Sequence, residues 1–175
     1  MTQRQAAQPR DRFPVLRTMP TRWADNDSYG HINNVVYYAC FDTVVNTWLM
    51  EHGALQPLQA GATTIGLVVE SQCRYFASAQ FPQVLEIGLR VGHVGTSSVR
   101  YELAVFRDDH DVAVAQGHFV HVYVDSTTRR PVKALPATLR AALAMLESTP
   151  AAAAALLADR CLEPLSPPPP APAAH

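Results

Sequence analysis

A long apolar segment with helical spacing occupies residues 35–52 of this 175-residue chain. Large side chains recur there three or four positions apart, at Tyr37, Phe41, Val44, Val45, Trp48 and Leu49. This spacing predicts a helix of about 18 residues, roughly 27 Å long. Asn33 or Asn34 can cap its start, and Gly53 can end it. Because only a narrow polar stripe remains, we expect the helix to be buried in the domain.

Segments that alternate with a period of two follow the helix, at 65–76, 84–94, 97–106 and 111–125. The last three each place apolar residues on one face: Leu85, Ile87, Leu89 and Val91; Val99, Tyr101, Leu103 and Val105; and Val112, Val114, Val120, Val122 and Val124. The short links between these segments predict antiparallel pairing. A strand at 15–23, where Pro20 suggests a sheet edge or a bulge, precedes the helix, and a short amphipathic helix at 135–148 follows the last strand. The order predicts an α+β domain in which one sheet wraps around one helix.

Both ends of the chain differ in composition from this central region. Residues 1–14 are mostly polar and are predicted to be a flexible N-terminus. Residues 15–148 are predicted to form one folded domain, and residues 149–175 form an Ala- and Pro-rich tail with a run of four prolines.

Composition excludes several classes of partner and site. The net charge is -1 and no Lys/Arg-rich run is present, so neither a nucleic-acid nor a membrane-surface partner is predicted. Cys40, Cys73 and Cys161 are odd in number and widely spaced, which argues against a disulfide framework or a zinc site. The N-terminal segment lacks the apolar core of a secretory signal, and no stretch has membrane-spanning length. We therefore predict a cytoplasmic protein.

An acidic residue lies just before the predicted helix, in the stretch "ADNDSYGHINN". The first N–H groups of a helix have no partner within it, and the helix dipole makes that end partly positive. Such groups can bind a developing oxyanion, while a nearby carboxylate such as Asp27 attacks a carbonyl or activates a water molecule. The same residue types are also typical of ordinary turns and helix caps. Spacing alone leaves both interpretations open.

The histidines do not predict a metal site. His31 lacks a second His or Cys at ligand spacing. His118 and His121 are three positions apart in a predicted strand, so their side chains should lie on opposite faces of the sheet.

The stretch "DNDSYGHINNVVYYACFD" (residues 25–42) resembles the signature D-x-D-x-x-G-H-[VI]-N-N-x-x-Y-x-x-[YC]-F-[ED] of hotdog-fold acyl-CoA thioesterases. Among these enzymes, the stretch looks like the 4-hydroxybenzoyl-CoA thioesterase family and its short-chain acyl-CoA relatives. The resemblance covers about residues 15–135. It implies a hotdog fold, in which a curled antiparallel β-sheet wraps around one long central helix, and it therefore agrees with the predicted order of elements.

The resemblance also implies a site and a reaction. The second acid of the D-x-D pair, Asp27, would be the catalytic carboxylate, and the backbone N–H of Asn34 would polarise the thioester carbonyl. His31 and Asn33 would hold the loop against the helix, whereas Asp25 would be a turn and packing residue. The implied reaction is hydrolysis of an acyl-CoA to the free acid and coenzyme A, with no metal or organic cofactor beyond the coenzyme A of the substrate.

Members of the family build this site at the interface of a homodimer, in some cases within a dimer-of-dimers tetramer. The strand after the helix, near 68–75, would contribute to the partner's site. On this basis Glu70 and Ser71 are candidates to line the partner's site. Arg74, Arg90 and Arg100 are candidates to bind the phosphates of coenzyme A, and Tyr29 and Tyr37 could flank the acyl group. Two alternatives remain, a hotdog hydratase or dehydratase acting on acyl-CoA and a non-catalytic acyl-CoA-binding module.

Overall fold

A computed structural model describes residues 6–56 and 62–147 of the chain. The N-terminal residues 1–5, the end of the second predicted helix at 148, the predicted tail and Cys161 lie outside the described residues. The helices and strands, in chain order, are β1 (Val15–Pro20), α1 (Asn34–Glu51), β2 (Thr64–Tyr75), β3 (Val84–Val94), β4 (Ser98–Arg107), β5 (Ala115–Asp125) and α2 (Ala137–Glu147).

The five strands form one antiparallel sheet in the order β1-β3-β4-β5-β2. Pro20 lies in β1, which is an edge strand as its proline predicts. The other edge is β2, whose register against β5 shifts between Val68 and Glu70. This β-bulge reverses which residues of β2 face each side of the sheet, and the reversal decides where the predicted site residues point.

Helix α1 packs across one face of the sheet and begins and ends where its capping residues predict. Asn33 is the N-cap, and Gly53, with φ +66°, follows the helix in the left-handed conformation that glycine favours. One side of α1 is buried, whereas Val35, Ala39 and Met50 lie on an exposed side. The single chain therefore buries less of the helix than its composition predicts. No helix in the described ranges is long and apolar enough to cross a membrane.

The main core lies between the sheet and the helices. It is built from α1 and the inward faces of β3 and β4, and α2 joins it through its packing against β3. Its largest fully buried members include Phe41, Val45, Leu85, Ile87, Leu89, Val99, Tyr101, Leu103, Leu139, Leu143 and Leu146. The faces predicted for the strands β3 and β4 are thus the core faces.

The last strand, β5, presents the opposite face from the one that its valines suggest. Phe119, His121 and Tyr123 point into the core, while Val120 and Val122 are half-buried on the outer side. Val112 and Val114 precede β5 and do not continue its alternation. Alternation was a poor guide here because both sides of β5 are partly covered, so both faces carry apolar residues.

The segment before β1, predicted to be flexible, packs on the outer face of the sheet. Phe13 is 3% exposed and meets Phe106 edge-on, with 5.7 Å between ring centroids, in a small cluster with Ala104 and Ala113. Arg10 forms an ion pair with Glu86. Because Phe13 buries a large apolar ring, residues 9–13 are packed against the sheet and do not extend into solvent.

Candidate active site

Residues 26–32 form a tight loop that ends at the start of α1. Asn26 and Ile32 pair across its base, and the N–H of Asp27 donates to the carbonyl of His31 at 2.8 Å. Gly30 turns the chain with φ +80°, a conformation that side chains disfavour. The loop is also tied to the segment after β2, since the N–H of Ile32 donates to the carbonyl of Ala79 at 2.8 Å. These bonds fix the loop beside the helix.

The Asp27 carboxylate accepts hydrogen bonds from its own loop. Its Oδ1 accepts from the backbone N–H of Tyr29 at 2.8 Å and from that of His31 at 3.2 Å. Both bonds go to the same oxygen, which leaves Oδ2 without such a partner among the described residues. Asp27 is therefore oriented by one oxygen and can present the other to a ligand.

The other acid of the pair, Asp25, is a structural residue. It is 5% exposed, and its Oδ1 accepts from the Arg22 side chain at 2.9 Å while its Oδ2 accepts from the Arg22 backbone N–H at 2.7 Å. Burial acts to raise the pKa of Asp25, but the hydrogen bonds and charge of Arg22 outweigh it, so the pKa lies below its ordinary value. Asp25 closes the turn before the loop and does not border the cleft described below.

At the start of α1, one amide has no partner among the described residues. Asn33 satisfies two of the first three helical N–H groups, because its side-chain Oδ1 accepts from Val35 at 3.2 Å and its backbone carbonyl accepts from Val36 at 3.0 Å. The N–H of Asn34, the first helical residue, has no partner among the described residues. It is thus the donor that this helix end can offer to an oxyanion.

Asp27 and Asn34 border the same open cleft, which has a volume of about 500 Å³. Its walls come from the loop, the start of α1 and the end of β2 with the residues after it. They are Asp27, His31, Ile32, Asn33, Asn34, Tyr37, Tyr75, Phe76, Ala77 and Ser78. Asp27 is the one carboxylate among these ten residues, and it lies at the end of the cleft where α1 begins.

Aromatic rings form the apolar side of the cleft. Tyr37 is 4% exposed and meets Tyr75 edge-on, with 5.1 Å between ring centroids. Burial raises the pKa of Tyr37, so its hydroxyl stays protonated at neutral pH. The two described thiols lie nearby but are poor nucleophiles, since burial raises the pKa of Cys73 and raises that of Cys40 to about 11. Neither sulfur borders the cleft.

The structure places the remaining candidate residues outside the cleft. Tyr29 is at the tip of the loop, is 84% exposed, and does not line the cleft. On β2, Ser71 shares the helix-facing side with Tyr75, because both pair with core-facing positions of β5. The bulge in β2 turns Glu70 and Arg74 to the outer side of the sheet. In the single chain, none of the three β2 candidates reaches the cleft.

The outer side of the sheet carries a chain of alternating charges. Glu70 accepts a hydrogen bond from His118 Nε2 at 2.6 Å, and its carboxylate lies 3.9 Å from Arg100. Arg100 in turn lies 3.5 Å from Glu102, which accepts from Arg90 at 2.5 Å. Arg90 and Arg100 are thus held by carboxylates rather than directed at the cleft. His118 and His121 lie on opposite faces, as their spacing predicts.

Sequence reasoning missed Phe76, Ala77 and Ser78, which follow β2 and complete the cleft. The backbone N–H groups of Phe76 and Ala77 both donate to the carbonyl of Val114, which holds this segment beside the residue that precedes β5. Nothing in the sequence marks these residues except the aromatic pair at the end of the strand. No group of three or more His, Cys, Asp or Glu side chains in the described part of the chain could hold a metal ion.

A curled antiparallel sheet around a central helix, with a carboxylate beside that helix's free N-terminal amide, defines a hotdog protein with a site suited to acyl transfer. A family model described as the thioesterase-like superfamily matches residues 21–143. The chain therefore belongs to the thioesterase-like superfamily, and the hotdog fold that the signature implied is confirmed.

Solved structures extend this similarity. The PA5185 protein of Pseudomonas aeruginosa is 51% identical over 82% of this chain and 99% of its own, with a TM-score of 0.77. The PA2801 protein of the same species, for which a thioesterase activity is proposed, is 28% identical over 75% of this chain and 98% of its own, with a TM-score of 0.67. Slr0204, a 1,4-dihydroxy-2-naphthoyl-CoA thioesterase from Synechocystis, is 16% identical over 74% and 94%, with a TM-score of 0.67, and shares the fold. No curated protein matches the chain.

Proposed function

We propose that this protein is an acyl-CoA thioesterase that uses the Asp27 carboxylate and the Asn34 backbone N–H. The observation that carries the proposal is the cleft in which an oriented carboxylate occurs together with a helix-terminal amide that has no partner in the described part of the chain. The thioester carbonyl oxygen would accept from the Asn34 N–H, where the helix dipole favours developing negative charge. His31 and Asn33 would hold Asp27 and the amide in place through the bonds described above.

Asp27 has two routes to the products. It can attack the carbonyl carbon to give an acyl-aspartyl anhydride that water then hydrolyses, or it can remove a proton from the water that attacks. In either route the leaving thiolate needs little acid assistance, because ordinary thiols have a pKa near 8.5. A single turnover in ¹⁸O-water distinguishes the routes, since hydrolysis of the anhydride at the Asp27 carbonyl would leave label in Asp27.

We further propose that the working unit is a homodimer, alone or paired into a tetramer, that joins through β2. This strand is twelve residues long and forms a sheet edge, and Leu67, Val68 and Val69 in it are 38%, 50% and 61% exposed. A long apolar edge of this kind is a template for pairing with another strand. Antiparallel pairing with a second copy would cover it and would bring Ser71 and the exposed side of α1 toward the partner.

The proposed substrate carries coenzyme A, and no other cofactor is proposed. A structural neighbour, the SAV2348 protein of Staphylococcus aureus, was solved in complex with CoA. Tyr37 would contact the acyl group from inside the cleft, whereas Tyr29, at the exposed loop tip, would reach substrate only if the partner subunit approaches the loop. Glu70 and Arg74 face the outer side of the sheet and would therefore not contact the acyl group. The free thiols of Cys40 and Cys73 suit a cytoplasmic location.

The test is release of coenzyme A thiol from a panel of acyl-CoA esters by wild type, Asp27→Asn and the exposed-surface control Asp11→Asn. We expect Asp27→Asn to lower turnover by about 10²- to 10⁴-fold, the range for removal of a general base, while the Kd of the ester and the control's turnover change little. The Asn side chain keeps an oxygen for the loop bonds, so the loss would be chemical rather than structural.

Three other results would each contradict part of the proposal. Unchanged turnover in Asp27→Asn would exclude that residue as the catalytic carboxylate. Binding of acyl-CoA without hydrolysis by wild type would favour a non-catalytic binding module. Conversion of an enoyl-CoA to a hydroxyacyl-CoA would favour a hydratase, in which His31, also at the cleft, would act with Asp27.

A further inference from the structure

The segment after β2 lines the cleft and also supports the loop before α1. We call residues 76–81 the wall segment, since its first three residues border the cleft. Two of its later residues bind the loop. The carbonyl of Ala79 accepts from the N–H of Ile32 at 2.8 Å. The N–H of Phe81 donates to Asn26 Oδ1 at 3.0 Å. Because Asn26 and Ile32 close the base of the loop, the wall segment fixes the position of the loop.

A side chain from the central strand of the sheet holds the wall segment, in addition to its backbone bonds to Val114. Arg107 is the last residue of β4, and its Nη1 donates to the carbonyl of Ser78 at 2.7 Å. Within the described ranges this carbonyl accepts no other hydrogen bond. The Arg107 side chain is 16% exposed, so water competes little for the bond, and the charge of the donor strengthens it. One arginine therefore anchors the cleft wall to β4.

The turn after β4 fixes the rest of the Arg107 guanidinium. Its Nε and Nη2 donate to the two carboxylate oxygens of Asp109, at 3.0 and 3.2 Å. This paired geometry sets the plane of the guanidinium and therefore the direction of the remaining Nη1 donor. The N-terminal segment holds the backbone of the same turn, because Arg10 Nη2 donates to the carbonyls of Arg107 and His110. Arg107 is thus fixed at both its backbone and its side chain.

The bond to Ser78 orients a whole peptide group. The Ser78 carbonyl and the Ala79 N–H belong to one planar trans peptide, so fixing the oxygen also fixes the direction of the N–H on the other side. That N–H faces Tyr37 of the cleft. Burial raises the pKa of Tyr37, whereas a hydrogen bond from the Ala79 backbone and the charge of Arg107 act to lower it. Arg107 and Tyr37 thus hold this peptide from opposite sides, directly before the Ala79 carbonyl that binds Ile32.

We propose that Arg107 is a positioning residue for hydrolysis in the cleft. By fixing the Ser78 carbonyl, it keeps the wall segment, and hence the loop, where Asp27 and the Asn34 N–H can act on the same substrate carbonyl. The inference rests on the proposed thioesterase function and adds to it a residue that does not itself border the cleft. Its contribution is geometric, because small displacements of catalytic groups slow a reaction steeply.

The first experiment measures kcat and KM on the best acyl-CoA ester of the panel for wild type and Arg107→Met, in which the side chain keeps most of its length but loses every donor. We expect kcat to fall by about 10- to 100-fold, since a displacement of about 1 Å can cost this much. KM should change by less than about 3-fold, because the ground-state contacts of the ester remain. The control Arg17→Met removes the ion pair with Glu51 at the opposite end of α1 and should keep kcat within about 3-fold of wild type.

The second experiment measures amide hydrogen exchange by NMR where the wall segment meets the loop, and it needs no substrate. In Arg107→Met the Ile32 N–H should exchange at least about 10-fold faster relative to the buried helical N–H of Val44 in the same sample, because only local opening increases. The ratio to Val44 removes any change in global stability. In Arg17→Met this ratio should stay at its wild-type value. A role confined to global stability would raise both exchange rates together.

Asp109→Asn provides a milder variant if Arg107→Met folds poorly. The Asp109 side chain is 57% exposed in the turn after β4, so its replacement leaves the core intact. Arg107 then keeps its bond to Ser78 but loses the charge that aligns its guanidinium. We expect kcat to fall by about 2- to 5-fold, the range for an exposed ion pair. The same selective rise in Ile32 exchange should accompany this loss, at a smaller size.

The outcomes separate the positioning role from the proposed function. A folded Arg107→Met variant with wild-type kcat, or Ile32 exchange that rises no more than that of Val44, would overturn the positioning role and leave the thioesterase intact. Absence of hydrolysis of every ester by wild type would overturn the thioesterase activity, whereas the exchange of Ile32 would still decide whether Arg107 holds the loop.

Discussion

Replacement of Asn33 by Asp separates the capping role of this residue from the chemistry beside it. Asp and Asn are equally good N-cap residues, so Asn33→Asp should keep the bond to the Val35 N–H and change the free energy of unfolding by less than about 0.5 kcal/mol. The substitution also places a negative charge next to the Asn34 N–H, where the oxyanion would form. A stable protein with impaired turnover is therefore the expected result.

The size of the effect follows from Coulomb's law. The bond from Val35 to Asn33 Oδ1 is 3.2 Å long, and an oxyanion on the adjacent Asn34 N–H would lie roughly 5 Å from that oxygen. Two unit charges at this distance repel by about 1 to 3 kcal/mol for an effective dielectric constant between 80 and 20. This repulsion corresponds to a loss of roughly 5- to 150-fold in kcat. The cleft is open to solvent, which favours the lower part of the range.

The assay measures thiol release and urea unfolding for wild type, Asn33→Asp, Asn33→Ser and Asn33→Ala. Ser is a neutral cap, so Asn33→Ser should retain most of the turnover and stability, whereas Ala should lose about 1 kcal/mol of stability. The loss in Asn33→Asp should persist at pH 8, where ordinary carboxylates are fully ionised. Wild-type turnover in Asn33→Asp, or equal losses in the Asp and Ser variants, would refute oxyanion binding at the start of α1.

Three further predictions test the dimer, the turn before the loop and the packed N-terminal segment. Val69→Lys on the β2 edge should yield monomers in sedimentation and lower turnover by at least about 10-fold. The control Val112→Lys, at an exposed valine outside β2, should change neither. A fully active Val69→Lys monomer would contradict the proposed β2 dimer interface. Asp25→Asn should unfold at lower urea than wild type at pH 7. Because the folded pKa of Asp25 is lowered, that difference is present above about pH 4 and should vanish as the pH falls through the folded value; a gap that widens in acid would contradict its pairing with Arg22. Phe13→Ala should cost about 3 kcal/mol in urea unfolding at fixed protein concentration, and a cost under about 1 kcal/mol would mean that the outer cluster contributes little.

Local signals in the sequence located the elements well. Asn33 and Gly53 marked the ends of α1 because capping depends on a few adjacent residues. Alternation located the strands, and the core faces of β3 and β4, because one side of each packs against the helices. The motif that carries Asp27 and Asn34 pointed to the cleft residues for the same reason: the loop and the helix start are contiguous in the chain.

Long-range packing decided the rest. The valines of β5 suggested the wrong core face because cover from both sides makes both faces apolar. One extra residue in the β2 bulge turns Glu70 and Arg74 away from the helix. The hydrophobic pattern of the sequence does not predict such a bulge. Residues 76–78 line the cleft because Phe76 and Ala77 are bonded to Val114. Phe13 packs on Phe106, which lies nearly a hundred positions further along the chain. The sequence alone determined which segment holds the carboxylate and the free amide. Only the tertiary structure decided what surrounds them, because the surrounding residues are neighbours in space and not along the chain.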